Sequence, residues 1–417
     1  MGHNEDMKTE RLKIDFPLES IKEGEVKVLV PKLKAFVERP GEYSLSKAPV
    51  FFNPVMELNR DIAVLATQAY QRIVSRKISI CEPLTGCGLR GIRFAKEVEG
   101  VKSVVINDIN EKAYELAKYN VNANGLESCI SIYNEDANLL LSRYAAPGRR
   151  FDVIDVDPFG SPVPFMDSAL RSLREGGLIA LTATDMAPLC GVYPKACIRK
   201  YGGKPLRTEY CHELAVRLLI GCLAMTAARH EMGIKPLFSH STDHYIRVYA
   251  SVNHGAKEAD NSLSQMGYIL HCFHCFHRET IGRDEIFADH KRCLECGAEM
   301  DYAGSLWLGK LYEKGFCSLM MKEVGVKKLG TKRRIQRIMT LITEELEAPA
   351  TYYVLDRFCD KLGLPVPSIK KVVSLLKKKG FNASRTHFHP RGIKTNVSSL
   401  NMESLLRCIT SGSFICF

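Results

Sequence analysis

The chain has 417 residues, 46% of them hydrophobic, which is ordinary for globular protein and long enough for two or three domains. No apolar run looks long enough to span a bilayer, the polar start from Met1 to Glu10 shows no secretory signal, and Asp6 stands where myristoylation needs Ser or Thr, so the expected place is the cytoplasm, or the nucleus. A net charge of +11 favours a polyanionic partner, although a soluble basic protein shows the same excess.

Ile14 to Val30 alternates apolar and charged residues and breaks at Gly24-Glu25, the pattern of a hairpin. Ala48-Pro49-Val50-Phe51-Phe52-Asn53-Pro54 is a rigid aromatic loop, its backbone restricted by proline at both ends. Asn53 is placed to cap a helix over Met56 to Val74, which carries Arg60 and Asp61. Phenylalanines beside a helix start either staple it to the core or offer a base a stacking surface.

Ile78 to Glu82 reads as a short buried strand. It runs into Pro83-Leu84-Thr85-Gly86-Cys87-Gly88-Leu89-Arg90-Gly91 and a helix from Ile92. Glycines let the backbone approach a ligand, and Gly86-x-Gly88-x-x-Gly91 has the spacing of a dinucleotide fingerprint. A second strand, Val104 to Ile106, ends at Asn107-Asp108, and Asp108 lies 22 residues beyond Gly86, where an acid meets a ribose diol. Helix Glu111 to Asn122 follows, then a third strand, Ile130 to Tyr133, ending at Glu135-Asp136-Ala137. A fourth strand through Val153 and Val156 ends in Asp157-Pro158-Phe159-Gly160. Proline has no N–H for the ladder, so the chain turns there. In open α/β sheets that edge binds ligands. The Asp157 carboxylate or the Pro158 carbonyl suits the N–H groups of an exocyclic amine, and Phe159 suits stacking on its ring; a strand-end turn with an incidental acid is the plainer alternative. Four successive strands deliver an acid near their carboxyl ends: Glu82, Asp108, Asp136 and Asp157. Turn chemistry alone does not produce that repetition. Helix Pro164 to Arg174, a fifth strand over Leu178 to Thr184, a Gly/Pro-rich loop from Gly191 to Pro205, a long apolar helix over Thr208 to Glu231 and strands Lys235 to Ser239 and Tyr245 to Val252 complete an α/β unit.

The polar stretch His254 to Ser264 opens a second unit. Cys272-x2-Cys275 and Cys293-x2-Cys296, separated by 17 residues, fit a zinc ribbon. Four thiolates close the coordination sphere, so the metal would be structural; His271, His274 and His277 are near enough to replace a cysteine, and no thioredoxin-like unit supports a redox pair. Of the fifteen cysteines, Cys81, Cys129, Cys197 and Cys222 stand singly in apolar stretches and read as small buried hydrophobes. From Lys327 the chain turns basic. Helices over Ile335 to Leu346, Tyr352 to Leu362 and Pro367 to Lys379, with a two-stranded wing over Phe381 to Asn396 carrying Arg385, His387, His389, Arg391 and Lys394, look like a winged helix that touches RNA phosphates; a solvated basic face is the alternative.

The Gly-rich turn, the ribose acid, the base-side acid and the Asp-Pro-aromatic loop together resemble S-adenosylmethionine-dependent amino-methyltransferases. More narrowly, V-F-F-N-P-V-M-E-L-N-R-D from Val50, T-G-C-G-L-R-G-I-R-F from Thr85 and D-V-D-P-F-G-S-P from Asp155 resemble the tRNA guanine-N2 dimethyltransferases of archaea and eukaryotes, over nearly the full chain. The loop is Asp-Pro-Phe-Gly rather than the Asn/Asp-Pro-Pro-Tyr of adenine and cytosine enzymes, which departs from the broader class and fits the narrower one. The resemblance implies that Arg60 and Arg90 contact the cofactor (with Arg93 as the alternative to Arg90), that Asp108 binds the ribose, and that Asp136 accepts from the adenine amine beside the Ala137 backbone. It implies a catalytic loop of Asp157, Pro158 and Phe159, and a guanine held between Phe51 and Phe159. The expected architecture is an aromatic substrate-capture segment (1–60), a Rossmann-like class I methyltransferase domain (61–253) and a smaller α+β domain (254–417) with the zinc ribbon and winged-helix-like part. The implied reaction is methylation of guanine N2 in tRNA, at position 26, by a monomer that also carries structural zinc at Cys272, Cys275, Cys293 and Cys296. An adenine amino-methyltransferase and a non-catalytic RNA-binding protein on the same fold are the alternatives; in a NAD enzyme the Asp-Pro-Phe-Gly loop has no role.

Overall fold

The alternating amino-terminal stretch forms a hairpin, β1 (Leu18–Glu23) and β2 (Val26–Pro31), which buries Val26, Val28 and Val30. The computed structural model describes residues 14–36, 47–285 and 291–411, so the start of the chain, on which the targeting expectations rest, lies outside the described residues. Asn53 caps a single 3-10 turn rather than the long helix directly, accepting the Val55 N–H at 3.0 Å, and α1 (Glu57–Val74) follows.

The strand–helix alternation then forms as the pattern demands: β3 (Ile78–Glu82), α2 (Leu89–Glu97), β4 (Val101–Asn107), α3 (Glu111–Ala123), β5 (Ile130–Tyr133), α4 (Ala137–Tyr144), β6 (Phe151–Val156), α5 (Val163–Arg171) and β7 (Leu173–Ala183). After α6 (Met186–Leu189), α7 (Pro194–Tyr201) and α8 (Cys211–Ala228) come β8 (Met232–Thr242) and β9 (Tyr245–His254). The sheet order is β5-β4-β3-β6-β7-β9-β8, with β3 to β7 parallel and β9 antiparallel to β7. The chain leaves β3 toward β4 on one side and returns to β6 on the other, which opens a crevice at the carboxyl ends of these strands. Every residue of β6 is buried, as expected of a central parallel strand covered on both faces.

Local readings shift in four places. The strand read from Leu178 begins at Leu173, because Phe151 pairs with Leu173; the register then shifts, and pairing resumes at Gly177, opposite Val252. The Gly/Pro-rich loop holds α7, with Pro194 in its first turn and Gly202 as a left-handed cap, so both residues punctuate a helix instead of excluding one. The polar stretch after His254 is α9 (Ala256–Leu263). Finally, α8 is long and apolar enough to cross a bilayer by length and composition, against the expectation of no such run. Here it is a core helix, packed on β8, β9 and β12 (Asp301–Trp307) and buried from Glu213 to Ala224.

In the second half, β10 (Met266–His271) pairs with β11 (Arg278–Gly282) and β12 around the cysteine knuckles. Helices α10 (Lys314–Val326) and α11 (Lys332–Glu344) follow. The helix read from Tyr352 starts as a short strand, β13 (Tyr353–Val354), before α12 (Leu355–Leu362) and α13 (Ile369–Lys378). The wing forms as β14 (Ala383–Arg385) and β15 (Gly392–Thr395), with β13 on its other edge, and α14 (Ser399–Ser411) closes the described chain. One hydrophobic core runs from Val26 through the sheet to Trp307, Phe316, Ile335 and Phe388, and α10 packs directly on α1. A separate core around Phe358, Leu376 and Leu405 holds the winged part.

Candidate active site

Four strand ends meet at the crevice, and backbone amides shape it. Gly86 has a φ of +57°, and a Cβ there would lie 3.0 Å from the Phe51 carbonyl, so glycine lets the aromatic loop settle on the turn. The Gly86 N–H donates to Asp108 Oδ2 at 2.8 Å and the Asn110 N–H to Oδ1 at 2.9 Å. Burial raises the Asp108 pKa, and these two bonds only partly oppose it. Asn110 Nδ2 donates to the Pro49 carbonyl at 2.8 Å. The aromatic loop is therefore held at both Pro49 and Phe51, beside the acid that follows β4.

Asn107, fully buried at the end of β4, ties three strand ends together. Its Nδ2 donates to the Pro83 and Glu135 carbonyls at 2.9 and 3.0 Å, and its Oδ1 accepts the Glu135 N–H at 3.1 Å. Sequence reasoning passed over it as the neighbour of Asp108; an amide at the last position of a central strand was the available signal. Asp136 caps α4, its Oδ1 accepting from the Asn138 and Leu139 amides at 2.9 and 3.0 Å. Its second oxygen and the Ala137 N–H have no partner among the described residues.

Beneath the glycine turn lies a buried network of charge. Arg90, 4% exposed, pairs with Asp157, lies 3.3 Å from Glu82, and donates to Asn59 at 2.8 Å. Arg247 pairs with Asp155 and donates to Thr182 at 2.6 Å. Burial pushes the Asp157 carboxyl up, but Arg90 and then Arg247 outweigh it, and the pKa settles below its usual value. Glu82 accepts from Thr85 Oγ1 at 2.6 Å and the Gly91 N–H at 2.9 Å. Its burial wins over Arg90 and Thr85, and its pKa rises to about 8. Arg60 is brought to the same wall, but Glu23 grips its fork at 2.7 and 2.6 Å and the Asn53 carbonyl takes a third N–H at 3.2 Å. Arg93 is wholly enclosed by Glu23, Asp61 and Glu97, each within 2.9 Å, and takes no part in the crevice.

The Phe51 and Phe159 rings meet edge to face, 3.9 Å between centroids. Phe159 is 63% exposed, Phe51 half-buried. The loop that carries Phe159 is anchored from β7: Gly160 donates to Thr184 Oγ1 at 2.8 Å, and the Thr184 N–H returns to the Gly160 carbonyl at 2.9 Å. Thr184 is a second residue that the sequence did not mark.

In the second half, the sulfurs of Cys272 and Cys296 are 3.5 Å apart, as are those of Cys275 and Cys293, and all four lie within 4.8 Å of one another. Tetrahedral zinc with about 2.3 Å bonds places its sulfurs about 3.8 Å apart, so the donor set fits a closed four-thiolate site. Two of the three nearby histidines face elsewhere: His271 is buried against Tyr210 and Phe273, and His277 bridges Glu279 and Glu295, while His274 bonds to Cys296 at the edge of the four-cysteine cluster. Part of the wing's positive charge turns inward, with Lys394 on Glu213 at 2.7 Å, and the His387 ring meets Glu345. Lys370, Lys377 and Lys378 of α13 line a groove with Arg385 of the wing, which pairs with Glu344, while Arg391 lies 3.4 Å from Asp356.

Residues 24–407 match the family model for N2,N2-dimethylguanosine tRNA methyltransferase. A protein of Methanobrevibacter smithii named tRNA (guanine(26)-N(2))-dimethyltransferase is 40% identical over 96% of this chain and all of its own length. One of Aquifex aeolicus, named tRNA (guanine(26)-N(2)/guanine(27)-N(2))-dimethyltransferase, is 36% identical over 91% of this chain and 94% of its own. The solved complex of Trm1 from Pyrococcus horikoshii with S-adenosyl-L-methionine superposes with a TM-score of 0.79 at 34% identity, covering 92% of this chain and 98% of that one. The Rossmann-like methyltransferase fold, the site at its sheet edge and these full-length matches agree: the chain belongs to the N2,N2-dimethylguanosine tRNA methyltransferase family.

Proposed function

We propose that this protein transfers methyl groups from S-adenosylmethionine to the exocyclic N2 amine of a guanine in tRNA, at position 26, giving N2-methyl- and then N2,N2-dimethylguanosine. The observation that carries the reading is the meeting of Asp157, Pro158 and the Phe51–Phe159 pair on the same sheet edge as Asp108 and Asp136.

Asp108, already oriented by two backbone amides, accepts from the ribose hydroxyls. Asp136 accepts the adenine amine through the oxygen its cap leaves over, and the Ala137 N–H donates to the ring. Arg60 and Arg90 supply positive charge beside the glycine turn. For either to hold the cofactor carboxylate, it exchanges a protein carboxylate, Glu23 or Asp157, for that of the ligand. When bound, the cofactor supplies a sulfonium methyl: the nitrogen–carbon bond forms as the carbon–sulfur bond breaks, the electron pair stays on sulfur, and N2 sheds one proton.

The guanine amine is a poor nucleophile because its lone pair is delocalised into the ring. Hydrogen bonds from its N–H groups to Asp157 and the Pro158 carbonyl draw the nitrogen toward tetrahedral geometry and aim the lone pair at the methyl. The low pKa of Asp157 makes it a weak base at neutral pH, but the nitrogen loses its proton only as it becomes cationic and strongly acidic, so this carboxylate suffices as acceptor. Phe51 and Phe159 hold the base out of its stack. The four cysteines hold structural zinc, and the basic groove on α13 and β14 meets tRNA phosphates. Action as a cytoplasmic monomer, and the division of roles at residues 60 and 254, are part of the same proposal.

The test is nucleoside mass analysis of unmodified tRNA transcript after incubation with enzyme and cofactor. Dimethylguanosine is expected, and it should vanish when position 26 is adenine. Methyladenosine as product overturns the base assignment, and dimethylguanosine placed elsewhere overturns the position.

A further inference from the structure

Among the described residues, one more group of soft donors converges outside the active site and the zinc ribbon. Cys190 lies just past α6, and Cys211 and His212 open α8. One Sγ from each cysteine and one ring nitrogen of His212 all lie within 4.8 Å of one another. All three residues are half-buried, open enough for an ion to enter and closed enough to hold it.

The surrounding backbone brings these groups together. Gly191, at a φ of +87°, would place a Cβ 2.9 Å from the Arg207 nitrogen and 3.0 Å from the Leu206 carbonyl carbon. Only a residue without a side chain lets the turn after Cys190 lie directly on the segment that leads into α8. The backbone carbonyl of Phe388 stands beside the His212 ring as an N–H acceptor. Metal-binding histidines commonly give one ring N–H to such a carbonyl, which fixes the tautomer and leaves the other nitrogen for the ion.

We propose that Cys190, Cys211 and His212 form a second zinc site, separate from the four-cysteine cluster. Two thiolates and an imidazole suit zinc among the common divalent ions. Tetrahedral bonds of about 2.0–2.3 Å need donors about 3.5–3.8 Å apart, so the three close by no more than about 1.3 Å, and water fills the fourth position. Each thiol gives up its proton to solvent as its bond to zinc forms, and no electron changes hands. The ion would fasten α6 to α8. Because α6 begins two residues after Thr184, which holds Gly160, the ion would brace the segment behind the Asp157–Gly160 loop.

The test is zinc stoichiometry of the full chain purified under reducing conditions. The wild type should carry two equivalents, Cys190→Ser and Cys211→Ser one each, and Cys272→Ser the complementary one. A single equivalent in the wild type, or two that survive Cys190→Ser and Cys211→Ser, overturns the site. Cobalt(II) gives a second readout. Wild-type protein loaded with it should lose part of its sulfur-to-metal charge-transfer absorption on Cys190→Ser, and the remaining visible spectrum should be that of an all-sulfur site. An unchanged spectrum overturns the proposal even if a Cys272 variant does not fold. A Cys190–Cys211 disulfide in intact-mass analysis of the reduced preparation overturns it as well.

Discussion

Truncating Phe159 separates a base-stacking role from a packing role. The ring is 63% exposed and its one aromatic contact among the described residues is the pair with Phe51, so Phe159→Ala should lower folding stability by no more than about 1.5 kcal/mol. A base between two rings needs two contacts of about 3.5 Å, so the rings, now 3.9 Å apart, must open by about 3 Å to admit guanine. Opening forfeits an edge-to-face pair worth about 0.5–1.5 kcal/mol. Stacking on the base returns about 1–3 kcal/mol. The variant loses the stack but no longer has to open the pair. The net loss centres on about 1 kcal/mol and reaches about 2.5, which is about 5- to 70-fold in kcat/KM. The assay is steady-state methyl transfer to tRNA transcript at saturating cofactor, with cofactor Kd and the melting temperature measured alongside. Phe159→Tyr should restore most of the rate and Phe159→Leu should not, because leucine has no π-face. Equal rates for Phe159→Leu and Phe159→Tyr, or a loss that appears in cofactor affinity, refute the stacking role.

Asn107→Ala strips partners from the Pro83 carbonyl and from both backbone groups of Glu135. It should cost about 2–4 kcal/mol in urea unfolding and also weaken cofactor binding, since Asp108 and Asp136 flank these strand ends; unchanged affinity would show that the crevice does not depend on this bridge. Arg93→Met leaves Glu23, Asp61 and Glu97 short of a cation, so it should cost about 3–5 kcal/mol in stability while cofactor Kd in the folded protein holds; a rise in Kd would return Arg93 to the cofactor site. Glu82 has a folded pKa of about 8 against 4.5 unfolded, so its contribution is full below pH 4.5 and is lost as pH rises through 8. Stability should fall by up to about 1.4 kcal/mol per pH unit across that window, and Glu82→Gln should flatten the profile; parallel profiles for the two proteins would contradict the buried proton.

The sheet and its acids were legible because each signal is local. A short apolar run followed by an acid marks a strand end, and four such ends in βαβ register place Glu82, Asp108, Asp136 and Asp157 on one edge whatever the loops do. The hairpin before α1 and the wing were readable for the same reason. What escaped depends on contacts distant in the chain. The grip of Glu23 on Arg60 spans 37 residues and that of Glu213 on Lys394 spans 181, so a cationic side chain gave no hint of which carboxylate it already held. Helix α7 was hidden because Pro194 and Gly202 look like loop residues until their positions within a helix are known. The histidines flanking the first knuckle share the sequence neighbourhood of the cysteines but not their direction, and direction is set by the pairing of β10 with β11 and β12.

The measurement that bears most directly on the account is single-turnover methyl transfer to tRNA by Asp157→Asn, with cofactor Kd from calorimetry. Asparagine keeps the shape and an acceptor oxygen for Arg90, but it cannot take the proton and carries no charge to favour the developing cation. The transfer step should slow by about 100-fold or more, with cofactor Kd within about twofold of wild type. A rate close to that of the wild type, with dimethylguanosine still formed, would contradict the assignment of Asp157 to the chemistry.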